Sequence, residues 1–246
     1  MTDRYAVVGS PIGHTKSPLI HGLFAEATAQ ALEYAAIEGP LAPREGFADA
    51  VKAFIAAGGK GMFENGRIVA ENFDGVGLVR DIEVNLHRSM AGNRVLILGA
   101  GGAVRGALLP FIAARPAQLV IANRDVAKAR APVSQVESGQ ALSACGYRDL
   151  DAMGQFDLVV NATSASLSGQ LPPVPPSVFS PTGTAYELAY GKGLTPFLRL
   201  ARNAGIQGVA DGVGMLVEQA AEAFEWWRGV RPETHVVIDR LTVPLD

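Results

Sequence analysis

The chain has 246 residues, enough for one large domain or two modest ones. Its 48% hydrophobic and 18% charged content excludes a disordered chain, and a net charge of −3 without any basic block gives nucleic-acid binding no support. Cys145 is the only cysteine, which excludes an intrachain disulfide and a multi-cysteine zinc site, so no metal is expected and a reducing cytoplasm fits. The start Met1-Thr2-Asp3-Arg4-Tyr5 lacks signal-peptide form, and no apolar run is long enough to span a bilayer, so no membrane partner is expected.

Residues 1 to about 75 read as strand, helix, strand, helix, strand. Tyr5 to Gly9 is a short strand, and Pro18 to Gln30 is a helix with proline near its start, where its missing N–H costs nothing. Leu32 to Ile37 is a second strand; Pro43 to Ala57 is a second helix, stopped by Gly58-Gly59. Gly66 to Ala70 reads as extended. A connecting helix is predicted from Gly75 to about His87, with Val79, Ile82 and Leu86 on one face.

The run Val95-Leu96-Ile97-Leu98 reads as a buried strand, followed by the turn Gly99-Ala100-Gly101-Gly102-Ala103 and an apolar helix from about Val104 to Ala113. Strand, glycine turn and helix together place a dinucleotide pyrophosphate on a helix N-terminus. The match to GxGxxG is not strict, because Val104 stands where the third glycine would be. Gln118 to Asn123 reads as the next strand, and an NAD site usually ends it with Asp or Glu for the ribose 2′-hydroxyl. Asn123-Arg124 stands there instead, and a guanidinium suits a 2′-phosphate, so the residues favour NADP. Lys128 adds positive charge one turn on, whereas Asp125 argues the other way; the plainer alternative makes Arg124 a solvated surface residue. Further strands are predicted near 157–161 and 184–188, an ordered surface loop at 171–176, and a final helix from Val213 to Arg228 whose stripe Leu216, Ala220, Ala223 and Trp227 reads as packing.

Several local motifs coincide. Gly9-Ser10-Pro11-Ile12-Gly13-His14-Thr15-Lys16-Ser17-Pro18, Glu71-Asn72-Phe73-Asp74-Gly75, the Gly99–Ala103 loop, Asn123-Arg124 and Asn161-Ala162-Thr163-Ser164 resemble the shikimate dehydrogenase family in order along the chain. So do Tyr186-Glu187-Leu188-Ala189-Tyr190 through Thr195-Pro196-Phe197, and Gly212-Val213-Gly214 through Gln219-Ala220-Ala221. The resemblance implies reduction of 3-dehydroshikimate to shikimate with NADPH, in the route to chorismate and the aromatic amino acids. It implies an α/β architecture: a substrate domain of residues 1–75, completed by the C-terminal helices 212–246, and a Rossmann-like doubly wound NADP-binding domain of residues 76–211. It implies that Thr15 and Ser17 hold the substrate carboxylate with Tyr190 nearby, that Gln219 binds a ring hydroxyl, and that Asp74 is the catalytic acidic residue. It assigns the nucleotide to Gly99, Ala100, Gly101, Gly102, Ala103, Asn123, Arg124, Lys128, Asn161, Thr163, Ser164 and Gly212. A cytoplasmic monomer or homodimer is expected. From the residues alone, Thr15, Ser17 and Asp74 could equally be helix caps.

One departure stands out. The family follows the strand near Gly61 with Asn-Val-Thr-Val-Pro-x-Lys, a helix, and Gly-Ala-x-Asn. Here Gly58-Gly59-Lys60-Gly61-Met62 runs straight into Phe63-Glu64-Asn65-Gly66-Arg67, without the catalytic lysine or the substrate asparagine. Lys60 precedes the expected motif and is not assigned the role. Intact motifs on both sides favour an omitted segment over a true deletion, which predicts a Met62–Phe63 Cα separation far above the usual ~3.8 Å. Two other readings stay open: a quinate/shikimate dehydrogenase with looser cofactor choice, and a non-catalytic NADP-binding protein if the lysine is truly deleted.

Overall fold

A computed structural model describes residues 2–39, 44–64, 67–136 and 141–245, which divide into two compact units. The first comprises residues 1–72 and 220–237, the second residues 73–219 and 238–246. The boundary thus falls at Asn72/Phe73 and, inside the last long helix, at Gln219/Ala220.

In the first unit, β1 (Asp3–Gly9) and β2 (Leu32–Glu38) pair in parallel, from Asp3 opposite Leu32 to Gly9 opposite Glu38. Helix α1 (Ser17–Ala27) connects them and buries Ile20, His21, Phe24 and Ala25, the i, i+1, i+4, i+5 stripe of one helical face. Helix α2 (Arg44–Ala56) follows β2; Pro43, the predicted start, lies outside the described residues. The Lys60 N–H then donates to the Arg4 carbonyl at 2.7 Å, and the chain enters a short antiparallel hairpin, β3 (Phe63–Glu64) with β4 (Arg67–Ile68). Gly66, the predicted start of the extended segment, also lies outside the described residues.

That hairpin corrects the expected break. The Val69 N–H donates to the Met62 carbonyl at 2.9 Å, and the next pair along the ladder is Phe63 opposite Ile68. Met62 therefore stands immediately before β3, and no long Met62–Phe63 separation is present. The β3–β4 pairing stands where the sequence analysis expects a break.

The second unit is built on six parallel strands: β5 (Arg94–Leu98), β6 (Gln118–Ala122), β7 (Ala141–Cys145), β8 (Phe156–Asn161), β9 (Phe179–Glu187) and β10 (Gly208–Asp211). Their order across the sheet is β10-β9-β8-β5-β6-β7, the doubly wound arrangement, with the switch point between β5 and β8. Alternation explains why these strands read as unbroken apolar runs. Val95, Ile97, Leu119, Ile121, Leu158 and Val160 face one core, while Leu96, Leu98, Val120 and Val159 face the other. Helices α4 (Gly102–Ala113) and α5 (Val126–Val133) cover the first face; α6 (Pro196–Asn203) covers the second with Phe197, Leu198 and Ala201. Helix α6 begins with Thr195 as its cap, whose hydroxyl accepts the Leu198 N–H at 3.3 Å.

The connecting helix is real but irregular. Helix α3 (Asp74–Arg80) continues as a π-turn over Asp81–Asn85, which puts the buried Asp81 carboxylate under the Tyr186 hydroxyl (2.7 Å) and the Asn85 amide (2.9 Å). Helix α7 (Val213–Arg228) is followed by α8 (His235–Leu241). Cys145, 7% exposed at the end of β7, has its thiol pushed up to about 11, first by burial and then by Asp149.

His21 generates a prediction about acid stability. Its ring stacks on Tyr34 at 4.1 Å, Nδ1 has no hydrogen-bond partner among the described residues, and burial lowers its pKa to about 3. The unfolded chain binds a proton near pH 6.5 that the folded one refuses, so this contribution is complete above pH 6.5 and lost as pH falls towards 3. Wild type should lose about 2 kcal/mol more than His21→Phe between pH 7 and pH 5, at ~1.4 kcal/mol per pKa unit, measured by urea unfolding. Equal acid sensitivity in the two proteins would clear His21 of the effect.

Candidate active site

The glycine turn sits where the sheet topology opens a crevice. Gly99 has φ +114°, and a Cβ there would lie 2.9 Å from the Ala162 carbonyl at the end of β8, so glycine alone lets β5 and β8 converge. Gly101 is the N-cap of α4 in extended conformation, and a Cβ on Gly101 or Gly102 would meet nothing within 4 Å. The first N–H groups of α4, from Gly102 and Ala103 onward, lack acceptors within the helix and lie at its positive end. This open cradle fits a dinucleotide pyrophosphate. Val104, in place of the third motif glycine, is buried in the core, and the close approach is made instead at Gly106, whose carbonyl lies 2.5 Å from a Cβ placed on Gly75.

Two adjoining cavities extend from the cradle. One, of about 480 Å³, is lined by Gly99, Ala100, Gly101, Asn123, Arg124, Thr163 and Ser164 among others. The second, of about 820 Å³, shares Arg124 and Tyr147 with the first and adds Arg148, Asp149 and Asp151. Asp125 does not act as feared: its carboxylate accepts the Ala127 N–H at 3.0 Å and caps α5. Lys128 is exposed on α5 and lines neither cavity. Arg148 escaped the sequence analysis because β7 did, and its position just beyond that strand was the only signal. Asp149 and Asp151 are held as acceptors, from the Gly146 N–H (2.8 Å) and the Ser177 hydroxyl (3.0 Å).

Asn161 and Gly212, both assigned to the nucleotide, lie off the lining of the first cavity. Asn161 is fully buried, so its side chain works behind the cavity wall: Oδ1 accepts both the N–H (3.1 Å) and the hydroxyl (2.7 Å) of Thr163. Gly212 lines a different cavity, of about 230 Å³, together with Asp74, Leu188, Tyr190, Met215, Leu216 and Gln219. Its place is set by packing, since a Cβ there would fall 2.2 Å from the Leu188 carbonyl.

That smaller cavity unites three residues distant in sequence. Phe73 takes the N-cap of α3, so Asp74 is its first helical residue and not its cap, and burial pushes the Asp74 carboxyl upward. Glycine at 77 lets α3 meet α7 directly, because a Cβ there would stand 2.6 Å from the Gln219 nitrogen. Next to that contact, Arg80 pairs with the buried Glu218 at 3.0 Å. The Gln219 amide donates to the Leu216 carbonyl at 2.8 Å, which fixes its orientation, and burial raises the Tyr190 hydroxyl. Thr15 and Ser17 belong to the first unit. The Thr15 hydroxyl donates to that of Ser17 at 3.1 Å and accepts the Ser17 N–H at 3.2 Å, while Lys16 takes the N-cap of α1. Lys60 lies 4.0 Å from Asp3 in the same unit.

A doubly wound sheet with a glycine cradle at its switch point defines a dinucleotide-binding protein of the Rossmann class. Residues 82–168 match the model of the shikimate / quinate 5-dehydrogenase family, and residues 212–242 that of the shikimate 5′-dehydrogenase C-terminal domain. The chain is 47% identical to a shikimate dehydrogenase (NADP(+)) of Alkalilimnicola ehrlichii, over 98% of this chain and 99% of that protein. Its fold matches the crystal structure of an Ael1 enzyme from Pseudomonas putida, with a TM-score of 0.94, 56% identity and full coverage of both chains. It also matches Thermus thermophilus shikimate 5-dehydrogenase in complex with NADP(H) and shikimate, with a TM-score of 0.80 and 25% identity over 97% of this chain and 98% of that one. The chain belongs to the shikimate dehydrogenase family. The alignment with the Alkalilimnicola protein spans 272 positions against 246 residues here, so at least 26 positions (272 − 246) lack a counterpart in this chain.

The pair of arginines yields a prediction. Arg124→Ala should weaken NADP about tenfold or more while leaving NAD nearly unchanged, because a charge-assisted bond to a 2′-phosphate contributes ~1.5–3 kcal/mol. Arg148→Ala should act in the same direction with a smaller loss. Titration of both nucleotides against each variant reads the difference, and equal losses for NADP and NAD would show that neither guanidinium reads the phosphate.

Proposed function

We propose that the chain is an NADP-dependent oxidoreductase that reduces the ring ketone of 3-dehydroshikimate to shikimate. The observation that carries this reading is the cavity that brings Asp74, Tyr190 and Gln219 together within the same unit as the glycine cradle. When bound, the nicotinamide supplies the hydride. The chain's own residues then have two tasks: to hold the ring, and to manage a proton at the reacting oxygen. Asp74 is suited to the second, since its carboxyl lines the cavity and burial raises its pKa, favouring the protonated form. Gln219 has its amide pre-oriented for a ring hydroxyl, and Thr15, Ser17 and Tyr190 supply hydroxyl donors for the substrate carboxylate. Gly99–Ala103, Asn123, Arg124, Thr163 and Ser164 are assigned to the nucleotide, with Arg124 and Arg148 on its 2′-phosphate. This reading places the enzyme in the cytoplasm, as a monomer or homodimer, with 3-dehydroshikimate and shikimate as its small-molecule partners.

One observation favours a second reading. Met62 runs straight into the β3–β4 pairing, and the lysine segment that the family resemblance implies is absent from the sequence. Without that lysine a general acid–base contribution of about 10²–10⁴-fold is at stake, so the chain could bind NADP while turning over slowly or not at all. Asp74→Asn separates the readings. In an enzyme it should lower turnover by about 10²-fold or more and leave NADP affinity within about twofold, because Asp74 acts on the reacting centre alone. Wild-type protein that binds NADPH but leaves 3-dehydroshikimate untouched in a steady-state assay would favour the binding protein.

A further inference from the structure

Glu187, the last residue of β9, is fully buried, and no cation among the described residues pairs with it. Its carboxylate is instead surrounded by neutral donors. One oxygen accepts the Asn161 amide (2.9 Å), the Thr195 hydroxyl (3.2 Å) and the Ser166 hydroxyl at closer range; the other accepts the Ala189 N–H at 3.3 Å. These donors come from three separate segments: the loop after β8, the chain leading from β9 to Tyr190, and the cap of α6. Asn161 passes the constraint on, because with its amide committed to Glu187 and Ser166, its oxygen holds the N–H and hydroxyl of Thr163. Thr163 in turn accepts the Ala165 N–H at 3.3 Å.

We propose that Glu187 is a positioning residue for the nicotinamide half of the cofactor, whose buried carboxylate fixes the 162–165 wall of the nucleotide cavity through Asn161 and the strand end at Leu188–Tyr190 through Ala189. The inference rests on the proposed nucleotide role of that cavity. The chemistry of the donors makes the residue type strict. Asn161 Nδ2 and the Ala189 N–H can only donate, and the hydroxyl of Thr195 is turned towards Glu187 because its oxygen already accepts the Leu198 N–H. An ionised carboxylate accepts from all four at once. A glutamine of the same size cannot, because either orientation of its amide sets an NH2 group against a donor. A carboxylate that served only as a core filler or as ballast for α6 would have no reason to reach both the Thr163 wall and the Tyr190 strand end. Glu187 reaches both, through separate oxygens.

The test compares whole and half nucleotides on the intact protein. Glu187→Gln should weaken NADP and NAD by the same factor, about tenfold, the cost of leaving one buried donor unsatisfied. It should leave 2′,5′-ADP, which lacks the nicotinamide half, within about twofold, because Asn123 and Arg124, assigned to the half it retains, follow β6 and take no part in the Glu187 hydrogen bonds. Ser166→Ala removes one donor without adding any and should give the same pattern with a smaller loss, so the reading stays testable if Glu187→Gln fails to fold. Parallel losses for NADP and 2′,5′-ADP, or no loss for either, would overturn the positioning role. Wild-type protein that binds no NADP would overturn the proposed function itself, and is told apart by that first titration.

Discussion

β5 and β8 are hydrogen-bonded neighbours whose onward connections leave to opposite sides of the sheet, and the chemistry of the second unit depends on that reversal. Between their carboxyl ends no helix crosses, so a crevice is left open at the level of Leu98 and Asn161. The backbone closes that crevice at its floor. The Ala162 N–H donates to the Leu98 carbonyl at 2.9 Å, the Gly99 N–H donates to the Ala122 carbonyl at 2.8 Å, and Gly99 adopts the left-handed turn that no side chain tolerates at this spacing. Once this floor is set, the start of α4, the Asn123-Arg124 corner and the Thr163 wall have fixed places around it. The side chains that select the nucleotide are thus mounted on a frame built from main-chain hydrogen bonds.

The first unit has followed a different course. The alignment with the Alkalilimnicola protein holds at least 26 positions that this chain lacks, and here Met62 leads directly into the β3–β4 hairpin. The strand leading from Gly59 pairs with β1 at a single bridge, to Arg4, before the hairpin begins. The residues proposed for the substrate are Thr15 and Ser17 in this unit and Asp74, Tyr190 and Gln219 in the other, which offer hydroxyl, carboxyl and amide groups. The residues that line the nucleotide cavity all belong to the second unit, whereas the shortened junction belongs to the first.

The second unit was legible in sequence wherever burial is two-sided. Val95–Leu98 and Leu119–Ala122 are apolar at every position because both faces of the sheet are covered, and the glycines after Leu98 mark the turn. β7 was not legible, since Ala141-Leu142-Ser143-Ala144-Cys145 is an edge strand with small and polar residues, and Arg148 was lost with it. α6 is not apparent in the sequence although Thr195 and Pro196 form an ordinary helix start, because its eight residues are too few to show a clear apolar period. In the site, Asp74, Tyr190 and Gln219 line one cavity, whereas Asn161 and Gly212 are not among the residues lining the nucleotide cavity. Glu187 illustrates the limit. In sequence it is one polar residue ending an apolar strand, and only the fold reveals that four donors from three segments meet on it.

The lone thiol has a practical meaning. Cys145 is sealed at the end of β7 and stays protonated throughout the neutral range, so it offers almost no thiolate to an alkylating reagent. The native chain is in effect already a cysteine-free background for maleimide chemistry. A single cysteine introduced on the hairpin or beside the nucleotide cavity would carry a fluorophore or spin label alone, and would report on either unit during a binding cycle without any prior removal of native residues.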